Sequence, residues 1–264
     1  MIIDTHIHAF DEKIAEKAIS KLSKISGITP STDGTVSGAK ALLAKDKIDY
    51  GVVLPVATKP TQQTTINNWA KNEYKDNIIC FGTVHPQAPD VLDELERIKS
   101  LGLKGVKLHN DYQNIFIFDE CNYKLYELMQ QLNLPVVFHM GYDPASPKIH
   151  RAMPYDLIWL HEKYPKLKII AAHMGGVYAW ESVYFYLAGI KNIFFDTAFV
   201  ADKLSISLFN NIAKKHGTDK ILFGSDLPWS TPEKELELLY NSNLTSSQID
   251  AILYKNAIEL LELF

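Results

Sequence analysis

The chain has 264 residues, 47% of them apolar and 22% charged, with a formal net charge of −4, which is the composition of a packed globular domain rather than a disordered segment. The charges are spread over mixed-sign stretches with no basic cluster interleaved with aromatics, so nucleic acid is not an expected partner. No apolar run reaches the ~20 residues of a membrane helix, nothing resembling a secretory leader precedes Asp4, and the two cysteines, Cys80 and Cys121, form neither a disulfide framework nor a C-x-x-C zinc knuckle. The expectation is a cytoplasmic protein that engages no membrane.

A first strand over Ile2 to His8 turns His6 and His8 to the same side, because alternate residues of a strand share a face, and sets their Cα atoms roughly 6.5 Å apart. That spacing suits two imidazole nitrogens converging on one metal ion. Ile14, Ala18, Leu22 and Ile25 then recur at helical spacing with Lys13, Lys17 and Lys21 opposite them, which predicts an amphipathic helix with a solvated basic face. Residues 27–38, rich in Pro, Ser, Thr and Gly, read as a loop. A second helix at about 39–47 leads into a strand from Tyr50 to Pro55.

From there the alternation is regular: helix 62–75, strand 78–84, helix 89–101, strand 105–109, helix 125–132, strand 135–139, helix 154–164, strand 168–173, helix 178–190, strand 193–197, a helix carrying Leu204, Leu208 and Ile212, and strand 221–226. Eight strands with helical crossovers predict an α/β fold, a single (β/α)8 TIM barrel spanning residues 1–264 with a long insertion after the first strand. An open doubly wound sheet is the competing architecture, but its glycine-rich first turn is replaced here by His6-Ile7-His8. The inserted stretch, Ala9 to Gly38, is expected near the barrel mouth as part of a lid.

In such barrels chemistry resides where the strands stop. The polar residues there are His6 and His8 on the first strand, Lys107 and His109 on the fourth, His139 on the fifth, His173 on the sixth and Asp226 on the eighth. Imidazoles and a carboxylate without thiolate suit Zn2+ or another first-row divalent ion, with Mn2+ as the alternative. An ion with an open position lowers the pKa of a bound water or polarises a carbonyl. Tyr142 and Arg151, in the loop after the fifth strand, are candidates to read a substrate acid, Arg151 by a bidentate contact. His85, before Pro86, ends the third strand, while His150 and His216 are expected at the surface. His161-Glu162 begins like a zinc-protease motif, but Pro165 stands where its second histidine belongs.

Asp4-Thr5-His6-Ile7-His8, Gly105-Val106-Lys107-Leu108-His109, Phe138-His139, Ala172-His173-Met174-Gly175-Gly176 and Gly224-Ser225-Asp226-Leu227-Pro228-Trp229 together resemble the strand-end motifs of the amidohydrolase superfamily. More narrowly, they are similar to the branch that includes aminocarboxymuconate semialdehyde decarboxylase. The resemblance implies that His6, His8, His139 and Asp226 ligate one divalent ion, that His173 positions or deprotonates water, and that Asp226 can alternatively shuttle a proton. In binuclear members a fourth-strand lysine is carbamylated; here Lys107 is expected instead in a salt bridge or against a substrate carboxylate, with His109 beside it in the site, and the centre is expected to hold a single ion.

The branch includes hydrolases, hydratases and decarboxylases, and the fold does not select among them. The leading expectation is a hydrolase using metal-activated water on a small anionic cyclic ester or amide. Its rival is a non-hydrolytic decarboxylase of a small unsaturated or aromatic acid, and a third reading, from another class, is an inactive metabolite-binding barrel. The expected partner is a small-molecule substrate, and a homodimer is compatible with this sequence.

Overall fold

The strands are short and apolar on both faces, as strands of a parallel sheet covered by helices must be. In the computed structural model, which describes residues 1–146 and 148–264, they run Ile3–Ile7, Tyr50–Val53, a third in two pieces (Ile78–Cys80 and Gly82–Thr83), Val106–Leu108, Val136–Phe138, Ile169–Ala171, Ile193–Asp196 and Ile221–Leu222. Every paired neighbour is parallel and the order follows the sequence. The third strand changes partners at Phe81: its N–H donates to Val53 C=O at 3.1 Å, and the next N–H, of Gly82, donates to Gly105 C=O at 2.8 Å.

Closure comes from the first strand meeting the end of the eighth. Thr5 N–H donates to Phe223 C=O (2.8 Å), Asp226 N–H to His6 C=O (2.8 Å) and His8 N–H to Leu227 C=O (2.6 Å). This ladder removes the free edges that an open sheet would retain. Asp4 reinforces it, accepting from the Ser225 N–H at 2.9 Å and from the Ser225 hydroxyl.

Two apolar clusters flank the strands. Inside the barrel, Val52, Ile79, Phe81, Val137, Ile170 and Leu222 pack with Leu260 and Leu261 of the last helix (Asn256–Leu261). Outside, residues such as Val106, Leu108, Val136, Phe138, Ile169 and Phe195 lie beneath the helices. Each side chain so buried contributes about 1.5–3 kcal/mol. Among the described residues no helix is long and apolar enough to cross a membrane.

Local chemistry moves some boundaries from where hydrophobic periodicity sets them. The second helix begins at Val36, inside the expected loop, because Thr35 caps it by accepting from Gly38 N–H at 2.9 Å. The helix expected over 178–190 is a short turn, Trp180–Ser182, continued by a π turn, Val183–Leu187, in which Ala188 N–H reaches Val183 C=O. Between the first and second strands the chain forms two helices, Glu12–Ser26 and Val36–Lys45. The residues joining them sit beside the C-terminal end of the eighth strand: Ser31 N–H donates to Pro228 C=O at 2.8 Å and its hydroxyl reaches Ser230 C=O at 3.3 Å.

One glycine fixes the rim. Gly141 has φ +84°, and a Cβ on it would stand 2.4 Å from Val177 N and 2.5 Å from Val177 O, where the two loops after the fifth and sixth strands pair. Gly102 also has positive φ (+76°) but open space around it. Gly141→Ala should therefore cost on the order of 2–4 kcal/mol in urea unfolding, against about 1 kcal/mol for Gly102→Ala; equal losses would show that the close approach contributes nothing.

Candidate active site

Two-residue parity decides what faces inward where each strand stops. Val106 and Leu108 pack outward, so Lys107 and His109 point into the mouth; the same parity brings in His139, Asp196 and Asp226 beside His6 and His8. None of His6, Lys107, Asp196 and His173 is more than 2% exposed. His173 (φ 63°), Met174 (φ 50°) and Asp226 (φ 67°) take left-handed backbone conformations, which side chains rarely adopt and which concentrate at functional sites. Asp196 holds this turn. Its Oδ1 accepts the His173 N–H (2.8 Å) and the Ala198 N–H (3.1 Å), and its C=O accepts the Met174 N–H (2.6 Å).

The histidine tautomers follow from their outer partners. His6 Nδ1 faces Asp196 Oδ2 at 2.8 Å and His8 Nδ1 faces Leu54 C=O at 3.2 Å; neither oxygen has a proton to give, so both Nδ1 atoms donate. Burial, reinforced by the Lys107 charge, pushes His6 down to about 4 against the opposing pull of Asp196, so its ring is neutral at pH 7. In the tautomer that donates from Nδ1, each Nε2 carries a lone pair. Those two lone pairs stand 3.3 Å apart, and Asp226 Oδ1 lies 3.3 Å from His6 Nε2 and 3.1 Å from His8 Nε2.

Three acceptors facing one another with no proton between them repel, and a cation relieves that repulsion. Ligand atoms ~2.0–2.1 Å from a tetrahedral zinc ion are ~3.3 Å apart, so the residues fit a divalent ion. The carboxylate–imidazole pair Asp196–His6 is the outer support that metal-binding histidines commonly have.

His173 and His139 join this group from the other side. His173 has a ligand atom within 4.8 Å of His6 and Asp226. Its Nδ1 donates to Ala198 C=O (2.9 Å), which leaves Nε2 to accept from His139 Nδ1 at 3.0 Å. His139 Nε2 is then a buried lone pair with no hydrogen-bond partner among the described residues, available to an ion, and burial followed by the neighbouring His109 holds this ring well below the usual imidazole range. The His139 ring also stacks on His109 (4.3 Å between centres), and His139 groups with His109 and Asp143.

His109 is gripped on three sides, by His139, by the Tyr112 ring stacked at 3.7 Å, and by Asp143 Oδ2 at 3.0 Å from Nε2. Lys107 forms no ion pair among the described residues, so of the two expectations for it, a salt bridge or a substrate carboxylate, the first is not met. The nearby carboxylates are engaged elsewhere: Asp196 by His6, His173 and Ala198, and Asp143 by His109 and by Ala145 N–H. Burial pushes its ammonium down to about 8, against the pull of Asp196, Asp226 and Asp143.

The remaining candidates lie away from this group. Arg151 spends its guanidinium on Asn114 Oδ1 and the Phe116 ring, 5.5 Å away, while its N–H donates to Asp111. Tyr142 is exposed at the rim against His150. His216 is not a surface residue: it is buried and stacked on Phe195 at 3.9 Å, because the helix that carries it turns it under the seventh strand. Residues missing from the sequence-based set are Asp196, Tyr112 and Asp143. Asp196 ends the seventh strand and obeys the same strand-end rule; Tyr112 and Asp143 sit beyond their strands, where no periodicity marks them.

Substituting both His6 and His8 by Ala should abolish binding of zinc with the circular dichroism spectrum intact. Asp196→Asn should weaken zinc affinity about 10–100-fold. Unchanged stoichiometry in the double variant, measured by elemental analysis, would remove these residues from the centre.

With this geometry in place, comparison with known proteins identifies the lineage. A family profile described as Amidohydrolase matches residues 3–263. A 5-carboxyvanillate decarboxylase from Sphingomonas paucimobilis shares the fold at TM-score 0.75 and 14% identity, covering 100% of this chain and 99% of its own. A dihydroxybenzoic acid decarboxylase from Polaromonas sp. with bound manganese does so at TM-score 0.70 and 17% identity, covering 99% and 97%. A 4-oxalomesaconate hydratase from Rhodopseudomonas palustris gives TM-score 0.68 and 20% identity, covering 100% and 96%. The profile spans nearly the whole chain, and the protein belongs to the amidohydrolase family.

Proposed function

We propose that the protein is a metal-dependent enzyme that removes carbon dioxide from a small carboxylic acid. The observation that carries this reading is Lys107, a buried ammonium without an ion pair among the described residues, in the same mouth as the acceptor triad of His6, His8 and Asp226. The triad suits a cation and the ammonium suits a carboxylate. A divalent ion bound there, zinc or manganese, supplies Lewis-acid polarisation of an oxygen. The bound manganese of the Polaromonas relative supports the second choice of ion.

In the reaction the bond between the carboxyl carbon and its neighbour breaks, carbon dioxide leaves, and the electron pair stays on the neighbouring carbon, which then takes a proton. His173 and Asp226 are the groups we assign to hold that proton. His109, braced by Asp143 and Tyr112, forms the wall next to Lys107. Solved proteins of the same fold that act on carboxyvanillate and dihydroxybenzoate as decarboxylases support non-hydrolytic chemistry here.

Hydrolysis of a small anionic cyclic ester or amide is the second reading. It calls on the same His173 and Asp226 to take a proton from water, and it stands second because two of the solved proteins of this fold named above are decarboxylases. Binding without turnover gives no use for three converged acceptors. A cytoplasmic location and a homodimer belong to the same proposal, and sedimentation analysis tests the latter.

Zinc- and manganese-loaded protein should be assayed against lactones, cyclic amides and unsaturated or aromatic carboxylic acids. Release of carbon dioxide without ester or amide cleavage is the expected result; cleavage of a lactone or amide without it would replace this reading by the hydrolytic one. Because Lys107 loses its charge as pH rises through about 8, KM for the acid should climb above that pH, and Lys107→Met should raise KM at pH 7 and abolish the climb.

A further inference from the structure

The loop after the seventh strand carries a second ammonium toward the mouth. Lys203 is half-buried, and its Nζ stands 3.6 Å from the centre of the Phe199 ring. That ring lies 6.5 Å from the His173 ring, so Nζ is no farther from His173 than those two lengths together. Its one hydrogen bond among the described residues is a long one, 3.4 Å, to Ala201 C=O. The carboxylates whose charges act on it are Glu235, Asp202 and Asp226.

Each of those carboxylates is engaged elsewhere. Glu235 is buried and accepts the Val200 and Ala201 N–H groups at 3.2 and 2.8 Å and the Ser230 hydroxyl at 2.7 Å. Asp202 pairs with Lys234 at 3.7 Å. Asp226 faces His6 and His8. Lys203 is therefore in the position of Lys107: a cation drawn among carboxylates, with none of them in contact among the described residues. Phe199 supports the ammonium by its ring face, an attraction that needs no acceptor, so N–H donors beyond the one on Ala201 C=O are left for a ligand.

The two lysines approach from different walls, Lys107 on the fourth strand and Lys203 after the seventh, with the acceptor triad in the same mouth. We infer that Lys203 is a second anion-recognition residue, and that the substrate is a dicarboxylate with one acid group on Lys107 and the other on Lys203. This rests on the mouth being the metal-centred site of an enzyme acting on small acids, and it narrows that class from acids to diacids.

The test uses full-length zinc-loaded protein and calorimetric titration with benzoate, isophthalate and the flexible diacid adipate. At least one diacid should bind tenfold or more tightly than benzoate. Lys203→Met, which keeps the aliphatic stem on Phe199, should erase that preference with benzoate affinity unchanged, and Lys203→Arg should restore most of it. A preference that survives in Lys203→Met, or wild-type protein that binds neither diacid better than benzoate, would overturn the inference. Zinc content measured on the same samples separates the two levels: zinc bound without a diacid preference removes Lys203 alone from recognition, whereas protein that takes up no zinc removes the metal-centred reading together with it.

Discussion

The contact on which the rest of the site depends is the parallel ladder between the first strand and the end of the eighth. Asp226 N–H on His6 C=O and His8 N–H on Leu227 C=O do more than close the barrel. They set the register that brings Asp226 Oδ1 within 3.1–3.3 Å of two imidazole nitrogens. A shift of one residue would turn His6 and His8 outward under the helices. Asp4 and Ser225, both fully buried, bond across the same seam, so the polar ladder that completes the fold also fixes the distances of the candidate centre.

Around that seam the structure assigns each carboxylate a different task by what it touches. Asp196 orders His6 through Nδ1 and pins the left-handed turn at His173 through two backbone N–H groups. Asp143 does the same for His109. Left-handed residues at strand ends cost about 1–3 kcal/mol each, and the hydrogen bonds from Asp196 offset part of that cost at His173. Among the described residues Lys107 and Lys203 have no carboxylate in contact, although nearby carboxylates act on their charges. A site whose acidic groups are spent internally and whose ammonium groups are not is electrostatically prepared for an anionic ligand.

Much of this was legible before any coordinates. The strand-end histidines and Asp226 follow from parity and from the rule that barrels place chemistry at the C-terminal ends, and the same rule reaches Lys107. It stopped short where position depends on loops. Arg151 reads as a carboxylate clamp from its charge alone, yet Asn114 and Phe116 take its guanidinium at the rim. His216 reads as polar surface, yet its helix stacks it on Phe195. Asp143 and Lys203 carry no periodic signal, and only the path of their loops shows that one braces His109 and the other reaches Phe199. The π turn at Val183–Leu187 is invisible to a pattern that assumes 3.6 residues per turn.

The polar mouth and the apolar core are also coupled through the helix that seals the opposite end. Leu260 and Leu261 fill the bottom of the barrel against Val52, Ile79, Val137 and Leu222, beneath the strand ends that carry His139 and Asp226. Burying an ammonium and several imidazoles is unfavourable unless their partners are fixed. Here rigidity comes from below: the inward side chains of alternate strands are close-packed, so the strand ends cannot splay, and the acceptors of His6, His8 and Asp226 are held together despite their mutual repulsion. The same packing that stabilises the barrel thus keeps three lone pairs at the spacing of an ion's ligands, which is why the fold can retain so electrostatically unfavourable an arrangement at its mouth.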